Sequence, residues 1–241
     1  MSRGLGDVYK RQAQNRSCCS GLITTRTART SAATVNAIFS WFRPGNVSFL
    51  DMRTATITKA QLFDTEGISL SAISSAGSME NIKLMRDNQA QFGILQGIFA
   101  AWAWNGDGPI TRPQPWLRSI CALWQNTDHF VLTRELARTG TIDDIAALNG
   151  ERFVIGARNS GAERSGSHIL DALDIDFRNS TSLAYMGYGA TANAIQDGTI
   201  VGMNVPAGVP VTAITRAFAM VGEDLTLLSF TDAQLARVND P

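Results

Sequence analysis

From residue 57 onward the apolar positions follow two periods that alternate along the chain. Residues 57–64 space them as a helix does, whereas 68–73 alternate apolar with polar, as a strand does. Residues 78–88 predict an amphipathic helix, with Met79, Ile82, Leu84 and Met85 interleaved with Glu80, Lys83, Arg86 and Asp87. A short apolar strand over 92–95, a helix over 98–104 and a proline-bearing loop over 106–115 follow. Residues 117–123 and 130–133 read as two strands, and 142–148 as a short helix before an Asn149-Gly150 turn. Beyond it come strand 153–156, helix 161–173, strand 182–186, helix 190–196 and strand 200–205. After a loop at 206–210, a helix over 211–221, a strand over 225–230 and a helix over 232–238 complete the pattern. Strands alternating with helices of this length predict an α/β fold with mainly parallel sheets.

Composition narrows the class. The 241 residues are 44% hydrophobic and 17% charged, enough for one large domain or two small lobes. Basic and acidic residues balance at 21 each, which argues against a nucleic-acid binder. Three cysteines, two of them adjacent (Cys18, Cys19), provide neither a disulfide framework nor zinc spacing. With two histidines and no spaced carboxylate cluster, neither a metal nor a cofactor is called for. The uncharged stretches near 92–104 and 198–215 fall short of the ~20 apolar residues of a membrane span, and Pro206 and Pro210 interrupt the second.

The charge balance hides a seam. Residues 1–56 carry a net +6 and residues 57–241 a net −6, and the first part is rich in Ser and Thr with no sustained period. Residues 1–12 resemble a read-through peptide seen at the start of unrelated translations, and no apolar signal-peptide region follows the basic start. We therefore expect residues 1–56 to be a non-native or disordered segment.

Three short segments hold the candidate chemistry. In the first, Gly156 to Glu163, Ser160 stands three residues before Glu163 as a capping box, and glycines let backbone N–H groups approach a ligand at a helix start. The second, Ser74 to Asn81, is another strand-to-helix junction, with hydroxyls at Ser75 and Ser78. Gln96, a polar amide closing an apolar strand, is the third. His168 reads as a surface or packing residue. His129, beside Asp128, has no nucleophile motif to complete a triad, and no catalytic residue is assigned.

In order along the chain, the run from Ser75 through Gly77, Ser78, Glu80 and Asn81, then 92–96 ending at Gln96, then 148–156 leading to Ser160-Gly161 resemble one family. They look like the TAXI-type solute-binding proteins of TRAP (tripartite ATP-independent periplasmic) transporters, and the likeness extends over residues 57–241. The resemblance implies a two-lobe, periplasmic-binding-protein-like fold of type II, a Venus flytrap, here incomplete at both ends. Lobe one would be 57–128 plus 211–241, and lobe two 129–210 with the hinge crossings. It further implies an exported, monomeric protein that is not an enzyme and has no nucleic-acid partner. Such a protein captures a small carboxylate, such as glutamate or a dicarboxylate, and delivers it to membrane permease subunits. Carried over residue by residue, the ligand cradle is Ser75, Gly77, Ser78, Asn81 and Gln96 on one side. On the other it is Ser160, Gly161, Ala162 and Glu163, with Gly208 near the hinge. The chain has Arg158, Asn159 and Ala162 where the family carries Pro-Gly and Thr, and Arg158 adds a charge suited to an anion. Two other classes remain: a ligand-sensing domain of a regulator with the same fold, and an α/β enzyme acting on a small organic anion.

Overall fold

A computed structural model describes residues 33–40, 47–50 and 70–239. The helix expected over 57–64 lies outside the described residues, as does residue 56 with most of the segment before it.

The strands are β1 (Ala33–Ser40), β2 (Val47–Leu50), β3 (Leu70–Ala72), β4 (Phe92–Gln96), β5 (Arg118–Thr133), β6 (Arg152–Val154), β7 (Ser182–Ala184), β8 (Gly202–Ala207) and β9 (Leu225–Leu227). They form one hydrogen-bonded path, β3-β2-β4-β1-β5-β8-β6-β7, with β9 also on β5. Pairing is parallel on both flanks (β2 with β3 and β4, β6 with β7 and β8) and antiparallel around β1 and β5. The parallel character expected from the alternation therefore holds at the flanks, and the centre is mixed.

β5 sets the architecture. Two strands separated by a polar break were expected; a single strand of 16 residues is found. It crosses the break because distant strands pair with it on both sides. β1 matches Arg118–Thr127, while β8 matches Thr127–Leu132 on the opposite edge. β9 takes Val131–Thr133 on the edge that β1 leaves. Residues 33–40 and 47–50, set apart by composition and expected within a non-native or disordered segment, stand in the sheet as β1 and β2. The run Ala-Thr-Val-Asn-Ala-Ile-Phe-Ser is rich in residues that favour extended backbone.

The helices are α1 (Ser78–Arg86), α2 (Gly97–Asn105), α3 (Gly161–Ala172), α4 (Phe177–Ser180), α5 (Tyr188–Gln196), α6 (Thr212–Val221) and α7 (Asp232–Asn239). The helix expected over 142–148 is a single 3-10 turn, Ile142–Ile145. Three cores follow. In the first half, α1, β4 and α2 bury Ile82, Met85, Leu95, Phe99 and Ala103 with Leu117. In the second, side chains alternate across the strands. Phe130 and Leu132 of β5 and Phe153 of β6 face α3, with Ile169, Leu170 and Phe177. Val131, Val154, Met203 and Val205 face α5 and α6, with Ala192, Ile195, Ile214 and Ala217.

The expected membership of the tail changes accordingly. Residues 211–241 were placed with lobe one, yet Val211, Ile214, Ala217 and Leu225 belong to the second-half core on one face. Leu228 and Val238 belong to the core on the other. The cause is the apolar stripe of α6, which matches α5 and the sheet beneath it.

Candidate functional site

Helix α3 begins where the strand β6 has ended and the chain turns over its own first helical turn. Gly156, at φ 131°, lies so close that a Cβ there would stand 2.6 Å from both Ala162 Cβ and Glu163 N. Ser160 is the N-cap, and its Oγ accepts from the Glu163 N–H at 3.2 Å. Glu163 reaches back in turn, its Oε2 accepting from the Asn159 N–H at 2.5 Å. The capping box read from the sequence is therefore present, shifted by one residue at its return bond.

α1 opens with the return bond of that device alone. Gly77 is its N-cap, and Glu80, three residues on, accepts from the Ala76 N–H at 2.5 Å. The other candidates here fasten the junction to β4. Ser78 Oγ accepts from the Gln96 N–H at 3.1 Å, and Asn81 Nδ2 donates to the Ile94 carbonyl at 2.8 Å. Ser75 Oγ donates to Asn81 Oδ1. Ser75, Ser78 and Asn81 thus hold the junction in shape.

The two junctions touch. A Cβ on Gly77 would lie 3.2 Å from Ser160 Cα and 3.3 Å from Gly161 N, so these backbones are in contact. A Cβ on Gly161 would stand 2.3 Å from Gln96 Oε1, so the amide lies directly against the start of α3. Gln96 is 5% exposed, and its Oε1 is buried without a hydrogen-bond partner. Gly77, Ser78 and Gln96 therefore meet Ser160 and Gly161, which lie 64 or more positions further along the chain. Further across the same boundary, His168 of α3 packs edge-on to Trp102 of α2, with ring centroids 5.6 Å apart.

Two candidates fall elsewhere. The Arg158 guanidinium stacks on the Tyr185 ring at 3.9 Å and stays exposed. Gly208 lines a hollow of about 350 Å³ with Tyr188, Ala207, Val211, Thr212 and Arg216, a lining that includes neither Gln96 nor Gly161. Ala162 is buried; its carbonyl accepts from Asn204 Nδ2 at 3.0 Å.

Beneath α3 lies a polar group that the sequence reading passed over. Ser165 Oγ donates to Asp128 Oδ1 at 2.8 Å, and both side chains are buried. Burial raises the Asp128 carboxyl to about 7, against the opposing hydrogen bonds of Ser165 and Asn204. Asn204 Oδ1 has no partner. Its amide nitrogen faces Gly166, where a Cβ would be 2.3 Å away, so only glycine admits it. Next in β5, His129 Nδ1 bonds the Val205 carbonyl at 3.0 Å, and burial lowers its pKa. Asn204, a polar residue inside the otherwise apolar β8, was the available signal, whereas Asp128 stands in the polar middle of β5. Among the described residues no group of three or more His, Cys, Asp or Glu side chains could hold a metal ion.

Residues 50–241 match the profile of a family described as NMT1-like. Among solved structures, the chain is similar to the alkanesulfonate-binding protein SsuA from Xanthomonas axonopodis pv. citri, bound to MOPS. Identity is 12% and the TM-score 0.46, over 76% of this chain and 59% of that one. A binding protein component of an ABC phosphonate transporter from Pseudomonas aeruginosa matches at 12% identity and TM-score 0.48, over 81% and 72%. The periplasmic aliphatic sulphonate binding protein SsuA from Escherichia coli matches at 10% and 0.43, over 78% and 60%. The chain thus spans about three fifths of the length of the two sulfonate-binding proteins.

Proposed function

The chain belongs to the NMT1-like family, and from that premise we propose that it is the extracytoplasmic solute-binding component of a TAXI-type TRAP uptake system, with a small carboxylate as its ligand. One observation carries the reading: the two strand-to-helix junctions quoted for the resemblance meet, and they meet at the N-terminus of α3. Among the described residues no acceptor meets the N–H groups of Gly161 and Ala162. Unpaired N–H groups at the start of a 12-residue helix favour an anion by up to ~2 kcal/mol where partly buried. On this reading the described residues before 129 and residues 129–239 are the two lobes, β5 and β8 join them, and the ligand enters when the junctions part.

The binding reading needs no reacting group, and the site supports it over an enzyme. Glu163, the titratable residue of the α3 junction, is engaged by the Asn159 N–H. Calorimetric titration of the protein with glutamate, 2-oxoglutarate, succinate and glucose tests the proposal. The acids are expected to bind reversibly without product, and glucose not to bind. Gly161→Val, which drives a side chain into the Gln96 amide, is expected to abolish acid binding. Equal affinity for glucose and the acids, or unchanged affinity in the variant, would rule the reading out.

A further inference from the structure

Gln96 ends β4 with an amide oxygen that is buried, unpartnered and pressed against Gly161. Its backbone is held by the bond from its N–H to Ser78 Oγ, so the side chain leaves the strand from a fixed point. The oxygen rather than the NH₂ group faces α3, as the positive end of a helix requires. A ligand carboxylate that takes the free N–H groups of Gly161 and Ala162 must lie beside this oxygen. Two acceptors then face each other in a buried place, which is unfavourable unless something donates between them. In the structure no neighbouring side chain donates to this oxygen. The Ser160 hydroxyl serves as the N-cap acceptor for Glu163, and the Arg158 guanidinium is stacked on Tyr185.

We infer that Gln96 is a specificity-determining residue that selects acids bearing a hydrogen-bond donor next to the carboxylate, that is, 2-hydroxy or 2-amino acids. The inference rests on the site proposed above and deepens it. The carboxylate caps α3, and the adjacent hydroxyl or ammonium donates to Gln96 Oε1. That single bond satisfies the orphaned oxygen and removes the conflict between acceptors. A plain acid leaves the oxygen unpaired, and a 2-oxo acid adds a third acceptor.

The test is a set of matched pairs titrated calorimetrically into the full chain: L-lactate with propionate, L-malate with succinate, 2-hydroxyglutarate with glutarate, and L-glutamate with 2-oxoglutarate. In the pairs whose length the site accepts, the donor-bearing acid should bind at least ~10-fold tighter. Gln96→Leu should erase that difference, weakening the donor-bearing acid and, with the opposing acceptor gone, strengthening the plain acid. Gln96→Asn, which withdraws the oxygen by one methylene but keeps an amide, should do the same. Equal affinities within every pair in the unaltered protein, or a preference that survives both substitutions, would overturn the inference while leaving an anion site in place. Absence of binding for every acid would overturn it together with the site.

Discussion

Asp128 and His129 are neighbours in β5, both buried, and burial moves their pKa values in opposite directions. The Asp128 carboxyl is raised from 3.8 to about 7, so its neutral form belongs to the folded state. Its contribution is fully present below the unfolded value and is lost as pH rises through about 7, a span on the order of 4 kcal/mol. His129 is lowered from 6.5, so its contribution is present above 6.5 and is lost as pH falls below it. Asp128→Asn keeps an acceptor for Ser165 without a charge. It should raise the thermal midpoint at pH 8 by at least ~4 °C, by clearly less at pH 5, and not at all below the unfolded value of 3.8. A melting series of both proteins across that range checks the sign; a variant less stable at pH 8 would refute it. Neither residue stood out beforehand as a partner of α3, because the group that meets Asp128, Ser165, lies 37 positions away. Gln96 did stand out, since an amide closing an apolar strand is a local oddity, but that its oxygen has no partner is a property of packing.

Among the elements, α3 was the most legible. Its N-cap and the glutamate that answers it lie three residues apart, so the signal is contained in one turn. Ser160→Ala should cost about 1 kcal/mol of stability. Gly156→Ala should cost more, at least ~2 kcal/mol, because it combines a φ of 131° with a Cβ 2.6 Å from Ala162 Cβ. Chemical denaturation of the two variants side by side gives the order directly, and a Gly156→Ala protein as stable as the parent would contradict the close packing. β5 was the least legible element. Its middle, residues 125–128, is polar, and the local pattern breaks there. Pairing with β1 and β8, both far away in the chain, carries the strand through. The identity of α6 as a helix was plain from its own apolar spacing, whereas which half it covers depends on α5, whose partnership no local pattern records.

For the molecule as a whole, the second half is a sheet with helices on both faces, and residues 211–239 supply part of both cores. Ending the chain at residue 210 should therefore do more than shorten it. Val131, Met203 and Ile195 would lose Ile214, Ala217 and Leu225, and a cooperative thermal transition should disappear from the circular dichroism melt. A sharp transition retained by that shortened chain would show that α6 and β9 are dispensable. The shared strand β5 also has a consequence in time. His129 of β5 pairs with Val205, made 76 residues later. At about 5–20 residues per second, a ribosome takes roughly 4–15 s to make that stretch. Throughout that interval the second half of β5 is a synthesised strand with an open edge, and open edges recruit other chains. The first half, β1 to β4 with Arg118–Thr127, can pair as it emerges, whereas the second half of β5 waits for β8. The nascent chain must therefore be shielded until β8 emerges, and the order of synthesis, as much as the final contacts, governs whether this protein reaches its fold.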